Sequence, residues 1–216
     1  MRIAILTSAR TGSTSLFHLI ESHLNPNKNY VSISEPFNNY WRDKMNLKTY
    51  STKYFEEKSD IFIKTFVSKL QIPNEFNGDY EKYWNWFFIT FDKVILLDRR
   101  NKTLQSESLT YHMKKDNLTS WQKRQFYDLS NITKEEIQSS YDVLLNESKI
   151  LNELSERGYP IYYYEDIYID KNKKLIEDIF EYIGIELKTQ LYDKEILFDN
   201  NKIRITEQEI KNRNLI

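Results

Sequence analysis

The chain of 216 residues contains no cysteine, which excludes disulfides, thiolate metal sites and cysteine nucleophiles. Glycine and proline are scarce at four residues each, and no Pro/Gly/Ser linker, low-complexity tract or internal repeat divides the chain. One domain over residues 1–216 is expected, long enough to bury a full core. A charge of one sign is also missing. With 31 Lys and Arg against 32 Asp and Glu the net charge is −1, so nothing global marks a nucleic-acid-binding or membrane-surface protein, and any basic site must be local. No apolar run approaches the roughly 18 residues needed to span a bilayer. The chain enters an apolar run at once, with no charged leader before it, so a soluble, cytoplasmic protein without a membrane span is expected. Only three histidines occur, His18, His23 and His112, and no metal-ligand spacing joins them. Four Asn-x-Ser/Thr sequons, at Asn101, Asn117, Asn131 and Asn146, read as composition in an Asn-rich chain.

The most informative segment present is IAILTSARTGSTSL, from Ile3 to Leu16. Its apolar run, Ile3 to Leu6, reads as a buried parallel strand; it breaks at Thr7-Ser8-Ala9-Arg10, and an amphipathic helix starts at Gly12 or Ser13. A helix start offers unpaired amide N–H groups and the positive end of the helix dipole. Thr11, Ser13 and Thr14 add small hydroxyls and Arg10 adds a cation, so the turn suits a phosphoryl or sulfuryl anion.

Further along, short apolar runs alternate with helical patterns. Strands are expected over residues 3–6, 30–33, 61–63, 94–97 and 160–164, and helices over 13–23, 80–88, 102–115, 134–157 and 173–183. Leu16, Leu19, Ile20 and Leu24 make one core-facing stripe; Leu175, Ile176, Ile179, Phe180 and Ile183 make another. This alternation predicts a three-layer α/β fold of P-loop-like type with a mainly parallel central sheet. Ligands in such folds collect beyond the carboxyl ends of the strands, where this sequence places Arg10, Glu35, Lys64, Arg99 with Arg100, and Tyr164 with Glu165.

The loop is not the usual triphosphate loop, G-x-x-x-x-G-K-[ST]. No glycine stands four residues before Gly12, and Arg10 precedes the glycine where a Lys would follow it. A donor with a single phosphosulfate fits better. A second signal is the run Lys93 to Asn101, KVILLDRRN, with Ser108 eight residues beyond Arg100. Ser108 then lies about two turns into the following helix, where it and a guanidinium could clasp one phosphate dianion; Arg99 is an alternative to Arg100.

On these residues the chain resembles the sulfotransferases that use 3′-phosphoadenosine 5′-phosphosulfate (PAPS). Their 5′-phosphosulfate loop is similar to residues 8–16, and their Arg-Asn…Ser 3′-phosphate motif to Arg100, Asn101 and Ser108. Tyr164-Glu165-Asp166-Ile167 and the helix LIEDIFEYIGI after it resemble the family's Tyr-Glu-Asp segment and the helix that follows. Glu35-Pro36 and Lys64 are similar to features of the bacterial and carbohydrate-type branch. Past residue 187 only a weak likeness remains, around residues 204–214. The resemblance implies transfer of a sulfuryl group from PAPS, as co-substrate, to an acceptor hydroxyl on a carbohydrate, with no metal. It implies that Arg10, Thr11, Gly12, Ser13 and Thr14 hold the phosphosulfate, that Arg100 and Ser108 hold the 3′-phosphate, and that Tyr164 lies against the adenine.

Residue chemistry makes Glu35 the candidate base, at a strand end with Pro36 biasing its backbone away from the helix, while Lys64 and Arg10 are candidates to stabilise charge on the leaving phosphate. Family members also use a histidine base. Two other readings stay open: a small P-loop nucleotide kinase, and a catalytically inactive nucleotide-binding module. The aromatic run Tyr83, Trp84, Trp86, Phe87 and Phe88 reads as a buried helix face. Acceptor identity and oligomeric state carry no readable code; the variable stretches 41–58 and 113–130 are where an acceptor pocket is expected.

Overall fold

The computed structural model describes residues 1–24, 30–38, 50–68, 74–116 and 132–188. Strands β1 (Arg2–Thr7), β2 (Val31–Ser34), β3 (Ile61–Phe66), β4 (Lys93–Asp98) and β5 (Ile161–Tyr163) form one sheet in the order β2-β3-β1-β4-β5, with every neighbouring pair parallel. Helices α1 (Ser13–Leu24), α2 (Thr52–Glu57), α3 (Tyr80–Thr90), α4 (Lys102–Asp116), α5 (Lys134–Glu156) and α6 (Lys173–Ile183) are interleaved with the strands. β1 is central, hydrogen-bonded on both edges and covered on both faces, which is why Ile3, Ala4, Ile5 and Leu6 read as an unbroken apolar run.

Alternate strand residues face opposite layers. Ile3, Ile5, Phe62, Ile95 and Leu97 pack against α1 and α6, while Ala4, Leu6, Ile61, Ile63, Val94 and Leu96 pack against the layer formed by α2, α3 and α5. The expected three-layer α/β architecture with a parallel sheet is therefore the observed one. Helix α6 illustrates its energetics: Ile176, Ile179, Phe180 and Ile183 are all buried, worth roughly 6–12 kcal/mol before chain entropy is subtracted. Asn172 caps its start by accepting from Leu175 N at 3.3 Å, and Gly184, at φ +71°, ends it in a left-handed turn. In the opposite layer Tyr83 and Phe87 are fully buried while Trp84, Trp86 and Phe88 are half-buried, so the aromatic run is largely a core face.

Helix α4 has no apolar stripe because its neighbour does not ask for one. It packs on α5 through small hydroxyls, Thr110 Oγ1 donating to Ser140 Oγ at 2.7 Å, with the Lys114–Glu136 ion pair at 2.7 Å nearby. Several boundaries differ from expectation, and β5 ends at Tyr163, so Tyr164 has already turned helical instead of closing the strand. β3 continues through Thr65 and Phe66, since both fit a strand, so Lys64 lies inside β3 instead of after it. The short helix α2 and a π-helical turn at Glu165–Ile169 carry too few periods to be read from spacing. Residues 204–214, the sequons at 117 and 131, and most of the expected acceptor stretches lie outside the described residues. No helix among the described residues is long and apolar enough to cross a membrane.

Candidate functional site

The turn between β1 and α1 is built by hydroxyls and two left-handed residues. Thr7 Oγ1 and Thr11 Oγ1 hydrogen-bond at 2.5 Å, and Thr11 Oγ1 also donates to Ser8 O at 3.3 Å. Thr11 is fully buried, and its hydroxyl staples the turn. Arg10 (φ +63°) and Gly12 (φ +72°) make the reversal that starts α1. Gly12 is required twice over: a Cβ there would stand 2.4 Å from Tyr168 Cε2, whose hydroxyl donates to Gly12 O at 2.7 Å. Ser13 is buried at the helix start and Thr14 is exposed beside it.

Residues expected at three separate strand ends meet here. Lys64 Nζ donates to Thr14 Oγ1 at 3.1 Å and to Glu35 Oε1 at 2.9 Å. The Lys64 side chain is 2% exposed and that of Glu35 27%, so the ammonium is buried with its partners while the carboxylate keeps an open side. Glu35 N donates to Lys64 O at 2.6 Å, prolonging the β2–β3 pairing by one residue, and Asn38 Nδ2 donates to Glu35 Oε2 at 3.0 Å. The backbone of Glu35 is left-handed, φ +54°, and so departs from the right-handed helix, the direction expected before Pro36. Among the described residues only Arg10, Glu35, Asn77 and Lys171 combine a side chain with positive φ. A conformation costing roughly 1–2 kcal/mol at two of the ten residues expected in the site is strain of the kind functional loops hold.

The second expected clasp is arranged differently from the sequence reading. Arg100 does not pair with Ser108: its guanidinium makes a bidentate contact with Asp166, Nη2 to Oδ2 at 2.7 Å, and lies 4.1 Å from the centre of the Tyr163 ring. Ser108 instead accepts from Arg10 Nε at 3.0 Å, because two helical turns bring it back over the β1–α1 turn. The two segments expected to hold anions are thus joined directly through Arg10 and Ser108. Arg99 stands 4.5 Å from the centre of the Tyr164 ring, which also stacks on Tyr168 with ring centres 5.0 Å apart.

One element braces both turns. From the π-helical turn, Glu165 accepts from the backbone N–H groups of Arg100 and Asn101, both at 3.0 Å, Asp166 holds the Arg100 side chain, and Tyr168 holds Gly12. π-helical turns recur at functional sites because the extra residue re-aims side chains within one turn.

Sequence reasoning passed over the buried polar group beneath the loop. Ser8 Oγ donates to Asp98 Oδ1 at 2.6 Å, Lys102 Nζ donates to Asp98 Oδ1 at 2.7 Å and to Gln105 Oε1 at 3.0 Å, and Gln105 Nε2 donates to Ser8 Oγ at 2.9 Å and Ala9 O at 2.5 Å. Glu147 Oε2 accepts from Ala9 N at 3.1 Å, and burial pushes its carboxyl up to about 7. A signal existed: Leu144, Glu147, Leu151 and Leu154 fall on one face of α5, so a carboxylate stands on a core stripe. Among the described residues no group of three or more His, Asp or Glu is placed to hold a metal ion. No family model matches this chain, and no curated protein matches it.

Proposed function

We propose that this protein is a sulfotransferase of the PAPS-dependent type, moving a sulfuryl group to an acceptor hydroxyl, with a carbohydrate as the acceptor class. What carries the reading is the meeting of Thr14, Lys64 and Glu35: an exposed hydroxyl at an anion-suited helix start, a buried ammonium and a partly open carboxylate, linked within 3.1 Å. In-line transfer needs those parts together. Glu35 would take the acceptor's proton as the acceptor oxygen bonds to sulfur. The bond from sulfur to the phosphate oxygen breaks, and its electron pair stays on the leaving nucleotide, where Lys64, Arg10 and the first amide groups of α1 offset the charge. Glu35 accepts from Lys64 and from Asn38, and its side chain is 27% exposed, so an acceptor hydroxyl can approach it from solvent.

The residues also fit the nucleotide's other end, with one adjustment. Arg100 would grip a 3′-phosphate by exchanging Asp166 for it, and Ser108 is held over the loop by Arg10. The exchange trades one charge-assisted bidentate contact for another, on a guanidinium whose side chain is 51% exposed and so within reach of a ligand. Tyr164 offers a ring beside both motifs for the adenine.

The test is thermal stabilisation by 3′-phosphoadenosine 5′-phosphate against ATP with magnesium, since a ligand of the native state raises stability by mass action. Stabilisation by the bisphosphate alone is expected. Preference for ATP with magnesium would replace this reading by a nucleotide kinase. Tight bisphosphate binding without sulfate transfer to any of a panel of sugars would leave a binding module.

A further inference from the structure

Ala9 is the last residue before the left-handed turn at Arg10, and both of its backbone polar groups are held from behind by side chains of other elements. Glu147 of α5 takes its N–H at 3.1 Å, and Gln105 of α4 takes its C=O at 2.5 Å. The peptide groups on either side of Ala9 are thereby fixed, and with them the direction in which the following N–H groups of the loop point. Gln105 belongs to a closed ring with Ser8, Asp98 and Lys102 in which the one carboxylate and the one ammonium offset each other. Glu147 is the additional acid. It is 5% exposed, and none of the steps proposed above uses it.

We propose that Glu147 is a proton-linked positioning residue of the anion loop: it orients Ala9, and it takes up one proton from solvent when an anionic group settles on the turn from Arg10 to Thr14. The inference rests on the reading of that turn as an anion site. The charged groups facing Glu147 are Asp98 from β4, which opposes its ionisation, and Lys102 from α4, which favours it and is already given to Asp98; the loop's Arg10 directs its guanidinium to Ser108. An arriving anion adds negative charge on the far side of the loop, and protonation of Glu147 removes one from the near side. The neutral carboxyl still accepts the Ala9 N–H through its carbonyl oxygen, so the loop keeps its shape while the repulsion disappears.

The sign follows from linkage. Anion binding raises the pKa of Glu147 above its value in the free protein, about 7, so the complex holds more protons than the free protein above that pH. Affinity is flat on the acid side of neutrality and falls as pH rises through it, by at most about tenfold per pH unit for one linked proton.

The experiment measures the affinity of 3′-phosphoadenosine 5′-phosphate, and separately of inorganic pyrophosphate, from pH 6 to 8.5 in the wild-type chain and in Glu147→Gln. Proton changes of the ligand are common to both proteins and cancel in the difference. The expected result is a wild-type affinity that drops several-fold more than the variant's between pH 7 and 8.5, with the variant binding at least as tightly at the alkaline end. Parallel curves for two proteins that both bind would overturn the inference and leave the anion site standing. Failure of both probes to bind the wild type at any pH would overturn the anion site, and this inference with it. Should Glu147→Gln not fold, calorimetry of the wild type at pH 7.5 in two buffers of different ionisation enthalpy counts the protons directly. Uptake well above the ligand's own supports the role, and uptake equal to it refutes the role.

Discussion

Replacing Gly12 by alanine tests whether the anion loop and the π-helical turn form one unit. Gly12 sits at φ +72°, where an L side chain costs about 1–2 kcal/mol. Its new Cβ would stand 2.4 Å from Tyr168 Cε2 and 2.7 Å from Cζ, and that ring is not a loose end. It is 5% exposed, stacked on Tyr164 and tied by its hydroxyl to Gly12 O. Forcing it aside is overpacking, worth about 1–3 kcal/mol, and loosens a hydrogen bond worth about 1 kcal/mol. The expected loss is therefore about 3–6 kcal/mol, a large share of the roughly 5–15 kcal/mol a domain holds, read as a lower urea midpoint at unchanged slope. A double-mutant cycle isolates the cause. In a Tyr168→Leu background the collision is relieved but the left-handed backbone is not, so the alanine should cost only about 1–2 kcal/mol, a coupling of about 2–4 kcal/mol. A Gly12→Ala cost below about 1 kcal/mol, or the same cost in both backgrounds, refutes the close approach of the two turns.

Three further outcomes follow from the same geometry. Burial raises the Glu147 carboxyl from 4.5 to about 7, so the folded state binds the proton more tightly than the unfolded chain, and this residue's contribution to stability is lost as pH rises from about 4.5 to about 7; Glu147→Gln should be relatively more stable at pH 8 than at pH 5, by up to about 3 kcal/mol in urea midpoints, and an unchanged difference between the two pH values refutes it. Asp166→Asn removes the charge that competes for Arg100, so affinity for 3′-phosphoadenosine 5′-phosphate should rise two- to tenfold while adenosine 5′-phosphate is unaffected; a weaker bisphosphate complex would instead make Asp166 a support for the clasp. Glu35→Gln retains an oxygen to accept from Lys64 and should cut sulfate transfer by about a hundred- to ten-thousand-fold with nucleotide affinity preserved; full turnover in this variant removes Glu35 as the base.

The strands and the helices α1 and α6 were legible because each must bury an apolar face, and burial leaves a periodic trace: Leu16, Leu19, Ile20 and Leu24 mark the helix and its inner side at once. The same logic located the carboxyl edge of the sheet and hence Arg10, Glu35 and Lys64. It stopped at contacts between residues distant in the chain. Nothing in the local spelling of Ser108 says that Arg10, 98 positions earlier, will donate to it, or that Asp166 rather than Ser108 will face Arg100. Such pairings depend on how far α4 is rotated about its axis, and α4 carries no apolar stripe to announce that rotation, since it meets α5 through Thr110 and Ser140. Glu147 was readable in principle as an acid on a core stripe, but its contact with Ala9 required knowing that the stripe lies beneath the loop.

The β1–α1 turn and the turn before α4 are held in register by an arrangement with few independent parts. Tyr168, Asp166 and Glu165 lie within four consecutive residues, and a π-helical turn presents them to Gly12, to the Arg100 side chain and to the backbone N–H groups of Arg100 and Asn101. A regular α-helical turn would rotate Tyr168 by about 100° per residue relative to Glu165, whereas the wider turn takes less rotation per residue and changes which side chains share a face. Because the Glu165 carboxylate spans two successive amides before α4, and Tyr168 fills the space a Cβ at Gly12 would take, displacement of either turn must strain the other through the same five residues. A ligand gripping both turns would therefore meet a spacing already set by the chain, and the protein would lose less conformational freedom on binding it than two separately mobile loops would.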